Sequence, residues 1–125
     1  MENVLQHTRK SDIAFRKGGV IYIKARLTKL LDLHEHDVIG ILYDKELRSY
    51  MLYRRIKDAY GNHDGRCVTL RHGKRRSHYL RVNSVALCAP ILKEFAADSV
   101  DLPVGEPIQV EPYGLCVPLL RLNLQ

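Results

Sequence analysis

The chain has 125 residues, of which 46% are hydrophobic and 27% charged, and it carries a formal net charge of +6. That length suits one domain able to bury an ordinary core without staples, and the hydrophobic fraction excludes a disordered chain. No apolar run approaches the ~20 residues of a membrane span. The start, Met1-Glu2-Asn3-Val4-Leu5-Gln6-His7-Thr8, has an early acid and no apolar stretch of signal-peptide type. A cytoplasmic protein with no membrane contact is expected.

Residues 1–10 read as a polar N-terminal arm. Residues 11–56 form a first half. Ile13 and Phe15 alternate along a strand, Gly18-Gly19 supplies a hairpin turn, and Val20-Ile21-Tyr22-Ile23 is the β-branched return strand. Leu27, Leu30 and Leu31 fall at i, i+3 and i+4 and predict a short amphipathic helix from Arg26 to Leu33. His34-Glu35-His36-Asp37 is a polar turn. Val38 to Tyr43 is apolar on both faces, as in a central strand. Asp44-Lys45-Glu46-Leu47 turns the chain into a strand over Ser49–Tyr53.

Residues 57–65, rich in Gly, Asn and Asp, read as a linker. The order of elements then repeats over 66–125. Cys67–Arg71 and His78–Val82 flank Gly73 as a second hairpin. Asn83 and Ser84 suit a helix N-cap, and Cys88, Ile91, Leu92 and Phe95 follow at helical spacing, with Pro90 expected in the first turn. Ile108-Gln109-Val110 and Leu115–Leu120 form the last hairpin, with Pro118 expected at an edge or a strand end. The fold class expected is mainly β with two short helices. Two similar β-hairpin–helix–β-hairpin halves share one core and pack as a single globular domain, swapped-hairpin or barrel-like, because a half of this size is marginal alone.

The sequence offers little catalytic chemistry. The three cysteines, Cys67, Cys88 and Cys116, are far apart among apolar neighbours and read as buried thiols rather than disulfides or zinc ligands. His34 and His36 are the only tight histidine pair, with no third ligand at metal spacing. There is no nucleophile elbow, P-loop or dinucleotide fingerprint. No enzyme activity, cofactor or metal is expected.

Charge is distributed unevenly. Residues 65–93 hold Arg66, Arg71, Lys74, Arg75, Arg76, Arg81 and Lys93 and no acid, whereas residues 94–125 hold five acids against Arg121. The stretch Arg71-His72-Gly73-Lys74-Arg75-Arg76-Ser77-His78-Tyr79-Leu80-Arg81 crowds like charges around one turn. A polyanion would relieve their repulsion, and phosphate suits the bidentate guanidinium. The competing reading is a solvated hairpin whose charges guard a sheet edge.

The stretch from Val20 to Tyr53 resembles the AbrB/MazE-type swapped-hairpin DNA-binding family. The resemblance rests on Ile21-Tyr22-Ile23, the leucines from Leu27 to Leu33, Asp37-Val38-Ile39-Gly40-Ile41 and Met51-Leu52-Tyr53. It recurs at Leu80-Arg81-Val82, Gly105-Glu106 and Ile108-Gln109-Val110. The proline usual after the first strand is replaced by Lys24-Ala25. His36 stands for the usual glycine, and the second half carries about ten extra residues after its helix. The resemblance implies a transcriptional regulator or antitoxin-like protein, expected as a homodimer. Basic residues flanking the first strand of each half would meet DNA: Arg16, Lys17, Lys24 and Arg26, then Arg71, Lys74 and Arg81, with Arg75 and Arg76 from the basic turn. If the halves are pseudo-symmetric, the two clusters would share one face. Nothing in the sequence separates DNA from RNA. The alternative is a protein-interaction or assembly module, of a mobile element or phage, in which the acidic third docks on the basic block without nucleic acid.

Overall fold

Positive φ at Gly18 (93°) and Gly19 (90°) folds β1 (Ile13–Arg16) back onto β2 (Val20–Ile23), because only glycine enters that region without strain. Gly19 is also where the second helix docks. A Cβ there would lie 2.8 Å from the Val85 backbone, and Ser84 N–H donates to Gly19 O at 2.7 Å. The computed structural model describes residues 11–55, 65–72 and 75–120, with the side chains of 65–79 left undescribed. The N-terminal arm, most of the expected linker, and the Gly73-Lys74 turn lie outside the described residues.

Helix α1 (Ala25–Leu30) is shorter than the leucine spacing predicts. It stops because Asp32 turns left-handed (φ 52°), so that Leu33 N–H reaches Thr28 O and Asp32 N–H reaches Lys29 O. Leu31 and Leu33 are buried all the same, carried into the core by this tight ending rather than by more helix. Strands β3 (Val38–Asp44) and β4 (Ser49–Arg54) follow as a hairpin. Then come β5 (Gly65–His72) and β6 (Arg75–Asn83), longer than the sequence reading at both ends. Gly65, expected in the linker, already pairs with Ile39.

Helix α2 (Val85–Phe95) begins at Ser84, whose hydroxyl accepts from Leu87 N–H at 3.1 Å. Pro90 therefore lies inside the helix and not in its first turn. It faces solvent, where the carbonyl it leaves unpaired can be hydrated, while Leu87, Cys88 and Ile91 bury the opposite face. The extra residues after this helix form a strand that the sequence reading missed, β7 (Ser99–Leu102), which pairs antiparallel with β1. The chain closes with β8 (Ile108–Val110) and β9 (Gly114–Pro118), where Pro118 ends its strand.

The protein is mainly β with two helices among the described residues. Its strands run β7-β1-β2-β6-β5-β3-β4-β9-β8, each antiparallel to its neighbours. Two four-stranded sheets stand out, β7-β1-β2-β6 and β3-β4-β9-β8. Strand β5 links them, pairing with β6 along its length but meeting β3 only at Arg66–Val38 and Gly65–Ile39. Corresponding hairpins of the two halves meet through their second strands. Tyr22 pairs with Arg81 and Leu52 with Val117, so the order is mirrored about β2·β6 and β4·β9. The sheet is not closed into a barrel. A single bridge, Val104–Leu119, ties the segment after β7 to the end of β9.

One core joins the layers. Phe15, Ile21, Ile23, Leu80 and Val82 from the first sheet meet Leu27 of α1, Ile91 of α2, and Ile39, Leu52 and Val117 of the second sheet. A small second cluster, Met51, Tyr53 and Cys116, sits on the other face of β4 and β9. Asp12 is the one buried charged residue among the described residues, at 4% exposure. Its Oδ2 accepts from Val104 N–H at 2.9 Å and from Arg26 Nη1 at 2.7 Å. A buried carboxylate is tolerable only when paired in this way.

Candidate nucleic-acid interface

Among the described residues, the basic block is presented on a two-stranded ribbon. Strand β6 pairs with β2 only over Leu80–Asn83, and β5 leaves β3 after Arg66. Beyond Thr69–Leu80 the two strands pair, among the described residues, only with each other, through Arg71–Arg76 and His72–Arg75, with a register irregularity between Thr69 and Arg71. At ~3.3 Å per residue, the ribbon runs roughly 15 Å past the end of β2. Arg71, Arg75 and Arg76 are placed by register alone, and Lys74 lies outside the described residues. The register sets Arg71 opposite Arg76.

Arg81 stands at the ribbon root, paired with Tyr22 on one side and Val68 on the other. It is half-buried, and its Nε is buried with no hydrogen-bond partner among the described residues. Such an orphan donor costs about 1–3 kcal/mol. Lys24 lies at the same end of the sheet, where β2 runs out beside the ribbon, and its Nζ donates to Ser11 Oγ at 2.6 Å.

The remaining predicted residues separate from this group. Strands β2 and β6 are antiparallel, with Val20 opposite Asn83 and Ile23 opposite Leu80. The β1–β2 turn therefore points away from the ribbon, carrying Arg16 and Lys17 to the far end of the sheet. Arg16 is held by Asp101 at 2.7 Å, and Lys17 is exposed. Arg26 is on the ribbon's side but is committed to Asp12, with Glu106 at 3.9 Å and Val104 O at 3.4 Å. The sequence reading missed Asp12 as the anchor of Arg26. An acid one residue before an apolar strand was its only signal, and its partners, Arg26 and Val104, come from other elements.

These contacts also locate part of the acidic third. Asp101 and Glu106 face arginines of the first half. The polar turn 34–37 is occupied locally: Asp37 accepts from His34 N–H at 2.8 Å, and Arg54 donates to Asp32 O at 3.0 Å. No group of three metal-ligating side chains occurs among the described residues. Cys88 and Cys116 are both buried. Burial raises the Cys88 thiol above its ordinary value and pushes Cys116 up to about 11, so both stay protonated at neutral pH and are poor nucleophiles. No helix among the described residues is long and apolar enough to cross a membrane.

Compared with protein-family models, with curated proteins and with solved structures, the chain finds no match.

Proposed function

We propose that this chain is a non-enzymatic, cytoplasmic DNA-binding protein of transcription-regulator type, acting as a homodimer and needing no cofactor. The observation that carries the reading is the β5–β6 ribbon, which leaves the sheet with Arg71, Arg75 and Arg76 on it and Lys74 between its strands in sequence. A two-stranded ribbon fits the major groove of B-form DNA. The deep, narrow major groove of A-form RNA does not admit one, which favours duplex DNA where the sequence left the choice open. The mirrored hairpin order agrees with the swapped-hairpin resemblance of Val20–Tyr53.

Within this reading Arg71, Lys74, Arg75 and Arg76 meet phosphates or base edges, with Arg81 and Lys24 at the root. Arg16 and Arg26 serve the fold, through Asp101 and Asp12. The alternative of assembly between copies, acidic third on basic block, is disfavoured because Asp101 and Glu106 already face arginines of the same chain. The test is fluorescence anisotropy with random-sequence duplex DNA and the matching duplex RNA at 50 mM and 200 mM salt. DNA binding that weakens steeply with salt is expected. Absence of binding at 50 mM salt refutes the reading, and equal binding of RNA refutes the groove argument. Light scattering of the free protein checks the dimer.

A further inference from the structure

Away from the ribbon, and independent of the DNA reading, a cavity opens beside the β3–β4 turn. It is walled by Tyr43, Leu47, Tyr50, Ile91, Phe95 and Leu119. Tyr43 and Tyr50 pair across the hairpin with ring centroids 4.9 Å apart, tilted by 59°. Leu47 is 55% exposed and Tyr43 49%, an apolar mouth facing water. The volume, about 230 Å³, is below the ~300 Å³ at which drug-sized sites begin, and suits a single ring.

Arg48 stands at the turn end of this cavity. Asp44 Oδ1 accepts from the N–H groups of Glu46 (2.9 Å) and Leu47 (3.0 Å), which fixes the loop just before it. Arg48 itself holds a left-handed backbone at φ 51°, a conformation that costs a non-glycine residue energy and that clusters at binding sites. The backbone that carries the guanidinium is thus set before any ligand arrives, which lowers the ordering cost of binding. Arg48 is exposed and has no ion pair among the described residues. Glu94, on the α2 side of the cavity, already has an interaction partner. It takes no part in the site, and the guanidinium is the charge that the cavity offers.

We propose that this cavity binds a small aromatic carboxylate, with its ring between the Tyr43–Tyr50 pair and the α2 side chains Ile91 and Phe95, and its carboxylate on Arg48. A planar guanidinium matches a carboxylate through two parallel N–H···O bonds. The ligand ring gains edge and offset contacts from the two tyrosines. An exposed ion pair is weak alone, so the ring and the acid are needed together. A neutral ring forgoes the charge-assisted bond, and an aromatic amine meets repulsion from Arg48.

The test titrates benzoate, benzyl alcohol, benzylamine and acetate into the full chain and follows the ring resonances of Tyr43, Tyr50 and Phe95. Benzoate should shift them saturably. Benzyl alcohol and benzylamine should each bind at least about tenfold more weakly, as loss of the charge-assisted contact requires, and acetate should give no saturable shift. Arg48→Gly, which keeps the left-handed backbone without strain, should weaken benzoate about tenfold and leave benzyl alcohol unchanged. Tyr43→Ala, followed through Tyr50 and Phe95, should weaken benzoate and benzyl alcohol alike, by about fivefold. Thermal melts confirm that each variant is folded, and an Arg48→Gly protein that is not folded is replaced by Arg48→Asn, which also tolerates this backbone. No saturable shift with benzoate up to about 10 mM, binding of benzyl alcohol or acetate as tight as that of benzoate, or benzoate affinity unchanged in the folded Arg48 variant overturns the proposal.

Discussion

Replacing Lys74, Arg75 and Arg76 together by Ser separates binding from folding. The four basic residues of the outer ribbon, Arg71 included, would neutralise up to four phosphates. At about 0.9 per phosphate they set a slope of log K against log salt near −3.6. A fourfold rise in salt, from 50 to 200 mM, should then cost the native protein roughly two decades of affinity. The triple variant keeps one ribbon contact and should lose only about half a decade over the same range, from an affinity already at least tenfold lower at moderate salt. Stability should hardly move if the basic block serves binding rather than the fold, since substitutions away from core contacts fall within about 0.5 kcal/mol each. Fluorescence anisotropy across a salt series, with a thermal melt of each protein, gives both readouts. Native affinity and slope in the triple variant would refute the ribbon as the contact surface. Unfolding of the variant would mean that these charges have internal partners, as the assembly reading requires.

Other outcomes follow from the same contacts. Arg26→Met leaves the Asp12 carboxylate buried with, among the described residues, only Val104 N–H as a donor. A loss of about 2–3 kcal/mol is expected, below the full cost of breaking a buried pair because Arg26 is itself partly solvated, while the DNA salt slope stays unchanged; a thermal melt showing no loss would remove Arg26 from the structural set. Ala96→Gly should stabilise the protein by up to about 1 kcal/mol, because Ala96 ends α2 at φ 51°, and an unchanged or lower melting temperature contradicts this. The Cys116 thiol has its folded pKa raised from 9.0 to about 11, so the stability it contributes is fully present below pH 9 and is lost as pH rises from 9 to 11. Melts of Cys116→Ala and the native chain across that window should converge as pH increases, and parallel curves would show that the thiol is not the titrating group.

What could be read from the sequence was local. Gly18-Gly19 announces a turn because positive φ is a property of the residues themselves, and Ser84 announces a helix start because its hydroxyl caps a nearby N–H. Apolar alternation marked Ile13 and Phe15 as one face of a strand, and the structure buries both. Residues Leu31 to Leu33 were misread as further helix, since the spacing of Leu27, Leu30 and Leu31 does not show that Asp32 turns left-handed. Strand β7 was missed although Val100 and Leu102 alternate with polar residues. A four-residue edge becomes a strand only by pairing with β1, more than eighty residues earlier in the chain. The same distance hid the fate of the charges. Composition shows that residues 65–93 are basic and 94–125 acidic. Only the antiparallel register of β2 and β6 sends Arg16 to the far end of the sheet, and only the packing of α1 against Asp12 commits Arg26 to the core. Turn and helix signals act over a few residues. Ion pairs, cavities and the separation of two basic clusters are set by which distant strands meet, and that is decided by the shared core rather than by any one segment.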